Sequence, residues 1–107
     1  MSAHTVILHV SNHPQDLDRA LNATTRLRAD LPDAAVRIIV NGPALPGITT
    51  TAASLTVPTG VQVEACAAGL DRQGIPADTL QPGVTTVPAA ITAIITVQQH
   101  GASYLRL

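Results

Sequence analysis

Apolar and polar positions along the chain switch repeatedly between two rhythms, and each switch marks an element. Residues 5–10 (Thr-Val-Ile-Leu-His-Val) are almost unbroken apolar and β-branched, which predicts a short strand buried on both faces, as in a parallel sheet. Ser11-Asn12-His13-Pro14 breaks the run, with Pro14 suited to the first helical position and Asn12 or His13 near the cap. Over residues 14–31 the period lengthens. Leu17, Ala20, Leu21, Thr24, Leu27 and Leu31 recur at helical spacing, while Asp16, Asp18, Arg19, Arg26, Arg28 and Asp30 mostly take the opposite face. This is an amphipathic helix whose acidic first turn complements its dipole. Residues 35–41 are largely apolar again, so the first third of the chain reads as a βαβ unit with a right-handed parallel crossover.

Gly42-Pro43-Ala-Leu-Pro46-Gly47 predicts a loop, because it is dense in breakers. Residues 48–57 are ambiguous, since three consecutive threonines are poor helix formers; the expectation is a short helix. Residues 61–65 alternate, with Val61, Val63 and Ala65 on one side and Gln62 and Glu64 on the other. The second face of this strand is therefore less buried, or is buried in a subunit contact. Residues 66–73 predict a short helix that Gly74 ends. Residues 75–83 predict a loop with room for one helical turn, and 84–87 a short strand. Residues 88–100 carry both helical spacing (Ile91, Ile94, Ile95, Gln98) and strong β propensity. Pro88 at the start, Gly101 at the end and the length favour a helix. Residues 102–107 alternate and predict a last strand at an edge. Five strands alternating with helices make an α/β fold: a three-layer α/β/α sandwich with a mainly parallel five-stranded sheet. The whole chain, 1–107, reads as one domain.

Composition narrows the possible partners. Tyr104 is the one aromatic among Phe, Trp and Tyr, so the core is aliphatic and no aromatic platform exists for stacking nucleic-acid bases. The six basic residues are all arginine and are dispersed, and the formal net charge is -1. Nucleic acid is therefore not an expected partner. No apolar run approaches the roughly 20 residues of a membrane span. A single cysteine cannot form an internal disulfide, and the opening residues lack the pattern of a secretory signal, so a cytoplasmic setting is expected.

In an open parallel sheet, ligands bind beyond the carboxyl ends of the strands. Here those ends carry Ser11-Asn12-His13, Asn41-Gly42, Cys66 and Pro88. Cys66 is the foremost candidate. A sulfur at a helix start lies near unpaired amides and the positive end of the dipole, both of which favour the nucleophilic thiolate. The competing reading is a small buried hydrophobe among alanines. His13 could hydrogen-bond a bound anion or assist proton transfer to sulfur, or it could simply be a solvated loop histidine. His9 alternates with Ile7 and is expected to be packed or at an interface, and His100 is expected to meet the carbonyls of the last helix. No HxH, HxxxH or CxxC spacing occurs, so no metal is implied. There is no Walker lysine, GxGxxG or GxSxG element either, so no nucleotide cofactor or serine nucleophile is implied.

Three stretches, taken in order, resemble the DsrE/DsrF-like (DsrE/TusD-related) family of small sulfur-relay proteins. One is Cys66-Ala-Ala-Gly-Leu-Asp-Arg-Gln-Gly-Ile75 after a strand. The second is Pro82-Gly-Val-Thr-Thr-Val-Pro88, followed by a helix and Gln99-His-Gly-Ala-Ser-Tyr-Leu-Arg106. The third is the Asn41-Gly-Pro43 turn. The ending resembles the DsrE-like branch found as stand-alone proteins. The resemblance spans essentially the whole chain and implies a parallel five-stranded α/β/α fold assembled into trimers or hexamers. It also implies a persulfide carried on the cysteine that Cys66 matches, exchanged with sulfur-donor and acceptor proteins. The segment 42–60 is short for a relay member, so the second crossover helix is expected to be reduced.

Two functions remain at this point. One is a cytoplasmic sulfur carrier or sulfurtransferase-type relay working through Cys66, with Asn12, His13, Asn41 and Gly42 lining or supporting the site. The other is a non-catalytic oligomeric small-ligand-binding or interaction module in which Cys66 is structural. A hydrolase or isomerase using His13 lacks a partner acid.

Overall fold

The computed structural model describes residues 4–107. Five parallel strands, β1 (Thr5–Val10), β2 (Ala35–Val40), β3 (Val61–Cys66), β4 (Val84–Val87) and β5 (Ser103–Arg106), form one sheet in the order β4-β3-β2-β1-β5. Three α-helices connect them: α1 (Asp16–Asp30), α2 (Ala67–Gln73) and α3 (Ala90–Gln99). The expected sandwich is thus the observed one.

Crossover handedness decides how the layers are filled. From β1 to β4 the chain steps across the sheet in one direction, so right-handed connections place α1, the β2–β3 connection and α2 on a single face. The connection from β4 to β5 crosses back over the whole sheet, which puts α3 on the other face. The core divides accordingly. Val6, Leu8, Val10, Val36, Ile38, Val40, Val61, Val63 and Ala65 pack against Leu17, Ala20, Leu45, Ile48 and Leu70 on the first face. A smaller cluster of Ile7, Ile39, Cys66, Ala90 and Ile94 lies on the second.

Two expectations about the connections need correction. The breaker-rich segment is a 3-10 helix, Gly42–Ile48, which buries Ala44, Leu45, Gly47 and Ile48. Residues 48–57, expected to be a short helix, form no helix beyond Ile48. Buried Gln81 is the physical reason. Its Nε2 donates to the carbonyls of Thr49 and Ala53 at 3.0 Å each, and its Oε1 accepts from the Leu55 amide at 3.0 Å. One long-range glutamine therefore satisfies backbone groups that a helix would have satisfied locally. The helix starts also differ by two residues. Pro14 and Pro88 both precede their helices, with Gln15 and Ala89 as the N-caps.

Candidate functional site

β3 ends in Cys66, which is also the N-cap of α2. Its backbone is still extended (φ -72°, ψ 109°), so the side chain continues the β alternation and falls on the α3 face with Glu64. The thiol Sγ accepts two backbone N–H groups, from Gly69 at 3.4 Å and from Ala90 at 3.3 Å. The first amide belongs to α2 and the second opens α3, so the sulfur sits where two helices begin. Gly69 lets α2 pack closely at this point: a Cβ there would come within 2.9 Å of Leu45 Cδ1, which would have to shift.

Cys66 is only 7% exposed. The segment from β4 to α3 covers it: Val87 is its ladder partner, and the Ala68 amide donates to the Pro88 carbonyl at 3.1 Å. Two open clefts flank this cover and both reach Pro88. One, of about 360 Å³, runs beside α3 over Arg37, Ala89, Thr92 and Thr96. The other, of about 530 Å³, lies between α2 and β4, lined by Ala67, Ala68, Asp71 and Thr86.

The other residues named from the sequence also lie along the carboxyl edge, though not all in contact. Asn41 extends β2 one step past the last ladder pair, Val40–Ala65, which makes it the lateral neighbour of Cys66. Its Oδ1 accepts from His9 Nε2 at 2.9 Å, and in the neutral ring His9 Nδ1 then accepts from the Tyr104 hydroxyl at 2.7 Å. Gly42 has φ +57°, and a Cβ there would stand 3.1 Å from the Ser11 carbonyl oxygen. Gln73 of α2 donates to the Gly42 carbonyl at 2.8 Å, tying the β2 turn to the helix that Cys66 caps. Asn12 is exposed and accepts from Arg106 Nη2 at 3.0 Å. His13 is exposed and contributes a backbone carbonyl to the Asp16 amide.

Further neighbours complete this edge. Ser11 is buried, and its hydroxyl accepts from Arg106 Nη2 at 2.6 Å. Tyr104 and Arg106 alternate onto the same face of β5, opposite Ile7 and His9 of β1. That alternation is visible in the sequence, but it matters only once β5 is known to pair with β1. His9 is packed and His100 Nδ1 meets the Thr96 carbonyl at 2.8 Å, as their positions imply. Further down the α3 face, Arg37 and Glu64 form a two-bond ion pair at 2.7 and 3.1 Å. Among the described residues, no group of three or more His, Cys, Asp or Glu is placed to hold a metal ion, and no helix is long and apolar enough to cross a membrane.

Comparison with known proteins locates the fold. A protein of unknown function, MTH1491 from Methanobacterium thermoautotrophicum, superposes with a TM-score of 0.84 at 19% identity, covering 97% of this chain and 99% of that one. The ychN protein from E. coli superposes with a TM-score of 0.71 at 14% identity, covering 100% of both chains. No family model matches the sequence, and no curated protein matches it. At these identities the likeness establishes a shared fold over a shared length.

Proposed function

We propose that this chain is a small DsrE-like sulfur carrier, a sulfurtransferase-type relay whose working group is Cys66. The observation that carries the reading is the placement of Sγ at the carboxyl edge of β3, with the Gly69 and Ala90 amides both donating to it. Two N–H donors at helix starts stabilise negative charge on sulfur, and negative charge is what a nucleophilic sulfur and a terminal persulfide both carry. The DsrE/DsrF-like resemblance of residues 66–75 and of the chain's ending points to the same atom.

The transfer balances without an oxidant. The Cys66 thiolate attacks the outer sulfur of a donor persulfide R–S–SH. A new S–S bond forms on Cys66, the donor S–S bond breaks, and R–S⁻ leaves as a thiolate. Delivery to an acceptor thiol is the same exchange in reverse. Asn41, beside Cys66 and anchored by His9, is the neighbour best placed to assist, with Gly42, Asn12 and His13 lining the edge. The cytoplasm suits such chemistry because it keeps thiols reduced. A homo-oligomer, trimeric or hexameric by the resemblance, is part of this reading. Ile91 and Ile95 support it, being 71% and 51% exposed one helical turn apart on α3.

Burial favours a second reading. Cys66 packs with Ile7, Ile39 and Ile94, which suits a structural thiol in a non-catalytic oligomeric binding module. Intact-mass analysis after incubation with a persulfide donor separates the two. The carrier gains one sulfur, and Cys66→Ser gains none. A wild-type protein that gains no sulfur, and whose thiol is alkylated only after unfolding, is the structural module.

A further inference from the structure

Arg19, Arg26 and Arg37 each face a carboxylate, at 3.5, 2.6 and 2.7 Å respectively. Arg106 differs. Among the described residues it is in no ion pair, yet it is fixed in place: Nη2 donates to Ser11 Oγ at 2.6 Å and to Asn12 Oδ1 at 3.0 Å. Both acceptors are neutral, so the guanidinium keeps its full charge. Nε and Nη1 take no part in these bonds, so their hydrogens remain to meet an anion's oxygens one at a time, while Nη2, which both two-donor edges of the guanidinium share, is held by the protein. One anchor, Ser11, is itself 8% exposed, so the cation is held from beneath by the protein and is open on its outer side. The cation also sits at the carboxyl edge, where open parallel sheets bind ligands.

We propose that Arg106, with Ser11 and Asn12, forms a carboxylate subsite for the small molecule that exchanges sulfur at Cys66. This rests on the carrier reading above for the role of the sulfur, but not for the binding of the anion. The sheet sets the span. Arg106 reaches the end of β1, and β1 lies two strands from β3. At about 4.8 Å per strand, the guanidinium and Sγ are roughly 10 Å apart. A small inorganic anion is too short to touch both. The ligand class that fits is a low-molecular-weight organic thiol or persulfide, the size of a tripeptide, with a carboxylate at its far end. In the exchange, that carboxylate stays on Arg106 while the outer sulfur passes to Cys66 and the ligand leaves as a thiolate.

S-methylglutathione is a suitable probe, because its capped sulfur cannot exchange. Binding is followed by amide chemical shifts in the otherwise complete Cys66→Ser protein. The acid is expected to bind and to perturb Asn12, His13 and Arg106. Arg106→Gln is expected to weaken it about tenfold, the effect of losing a charge-assisted hydrogen bond. Asn12→Asp is a second variant, in an exposed loop that need not affect folding. It supplies an internal carboxylate to Arg106 and is expected to weaken the acid similarly. The dimethyl ester is expected to bind the Cys66→Ser protein no better than the acid binds the Arg106→Gln form. Equal binding of acid and ester, unchanged affinity in both variants, or no binding of the acid at millimolar concentration each overturns the subsite. The two proposals fail separately. A protein that binds the acid but never gains sulfur on Cys66 loses only the carrier reading. One that gains sulfur equally fast from acid and ester donors loses only the subsite.

Discussion

The two faces of the sheet are built to different rules. The face under α1, the 3-10 helix and α2 is aliphatic across the three inner strands, with Leu8, Val10, Ile38, Val40, Ala65 and Leu45 fully buried. The face under α3 has one helix to cover five strands. Between its few apolar residues stand His9, Arg37, Glu64, Tyr104 and Arg106, joined into pairs and chains. A polar group on a sheet face costs free energy unless it is bonded, and here each of these has a partner within the fold. The first face therefore supplies most of the stability. The second spends some of it on polar groups, and Cys66 belongs to that second face.

The largest loss of stability is expected from the aliphatic face. Ile38→Ala removes a fully buried side chain from the middle of that face. It is expected to lower unfolding stability by about 2–5 kcal/mol in a urea titration. Glu64→Ala on the other face leaves Arg37 without its two bonds, at a site 22% and 10% exposed for the two side chains. The expected loss is about 1–3 kcal/mol. It should shrink when Arg37 is replaced together with Glu64, because no half-buried charge is then left unpaired. A loss on Glu64→Ala as large as that on Ile38→Ala would erase the distinction between the faces.

Gln81→Ala tests the covering layer of the aliphatic face and not the sheet. Three hydrogen bonds to the loop 49–55 disappear, and about 1–3 kcal/mol is expected to go with them. Hydrogen exchange should speed up first at the Leu55 amide, while amides of β1 and β2 keep their protection. The smallest effect on the folded monomer is expected on α3. Replacing Ile91 and Ile95 together with Asp should change monomer stability by only about 0.5 kcal/mol or less per site. The same pair should drive any oligomer towards monomer in sedimentation, and an unchanged assembly would remove α3 from the interface.

The same contrast explains what could be seen in the sequence. The aliphatic face was legible because it follows period. Leu17, Ala20 and Thr24 keep helical spacing, and β1, β2 and β3 alternate or run apolar as buried strands do. The carboxyl-edge position of Cys66 followed from counting strands and helices. The polar face was only half legible, because its partners are far apart in the chain. His9 meets Asn41 and Tyr104 across 32 and 95 positions, and Arg106 joins the site only because β5 pairs with β1 at the far edge. No local signal carries strand order. Local propensity over residues 48–57 misleads for the same reason, since Gln81, 26 positions from Leu55, holds that backbone. The second amide on the Cys66 sulfur, from Ala90, is likewise a tertiary contact between elements 24 positions apart.

The proposed role of Cys66 as a sulfur carrier is tested most directly by a loading-and-release experiment read by intact mass. The protein is incubated with a persulfide donor, freed of it, and then given an excess of an acceptor thiol. A sulfur carrier gives one added sulfur on wild type, none on Cys66→Ser, and return of wild type to its original mass as the acceptor gains the sulfur. A folded wild-type protein that never gains the sulfur, or that holds it permanently against the acceptor, would contradict it.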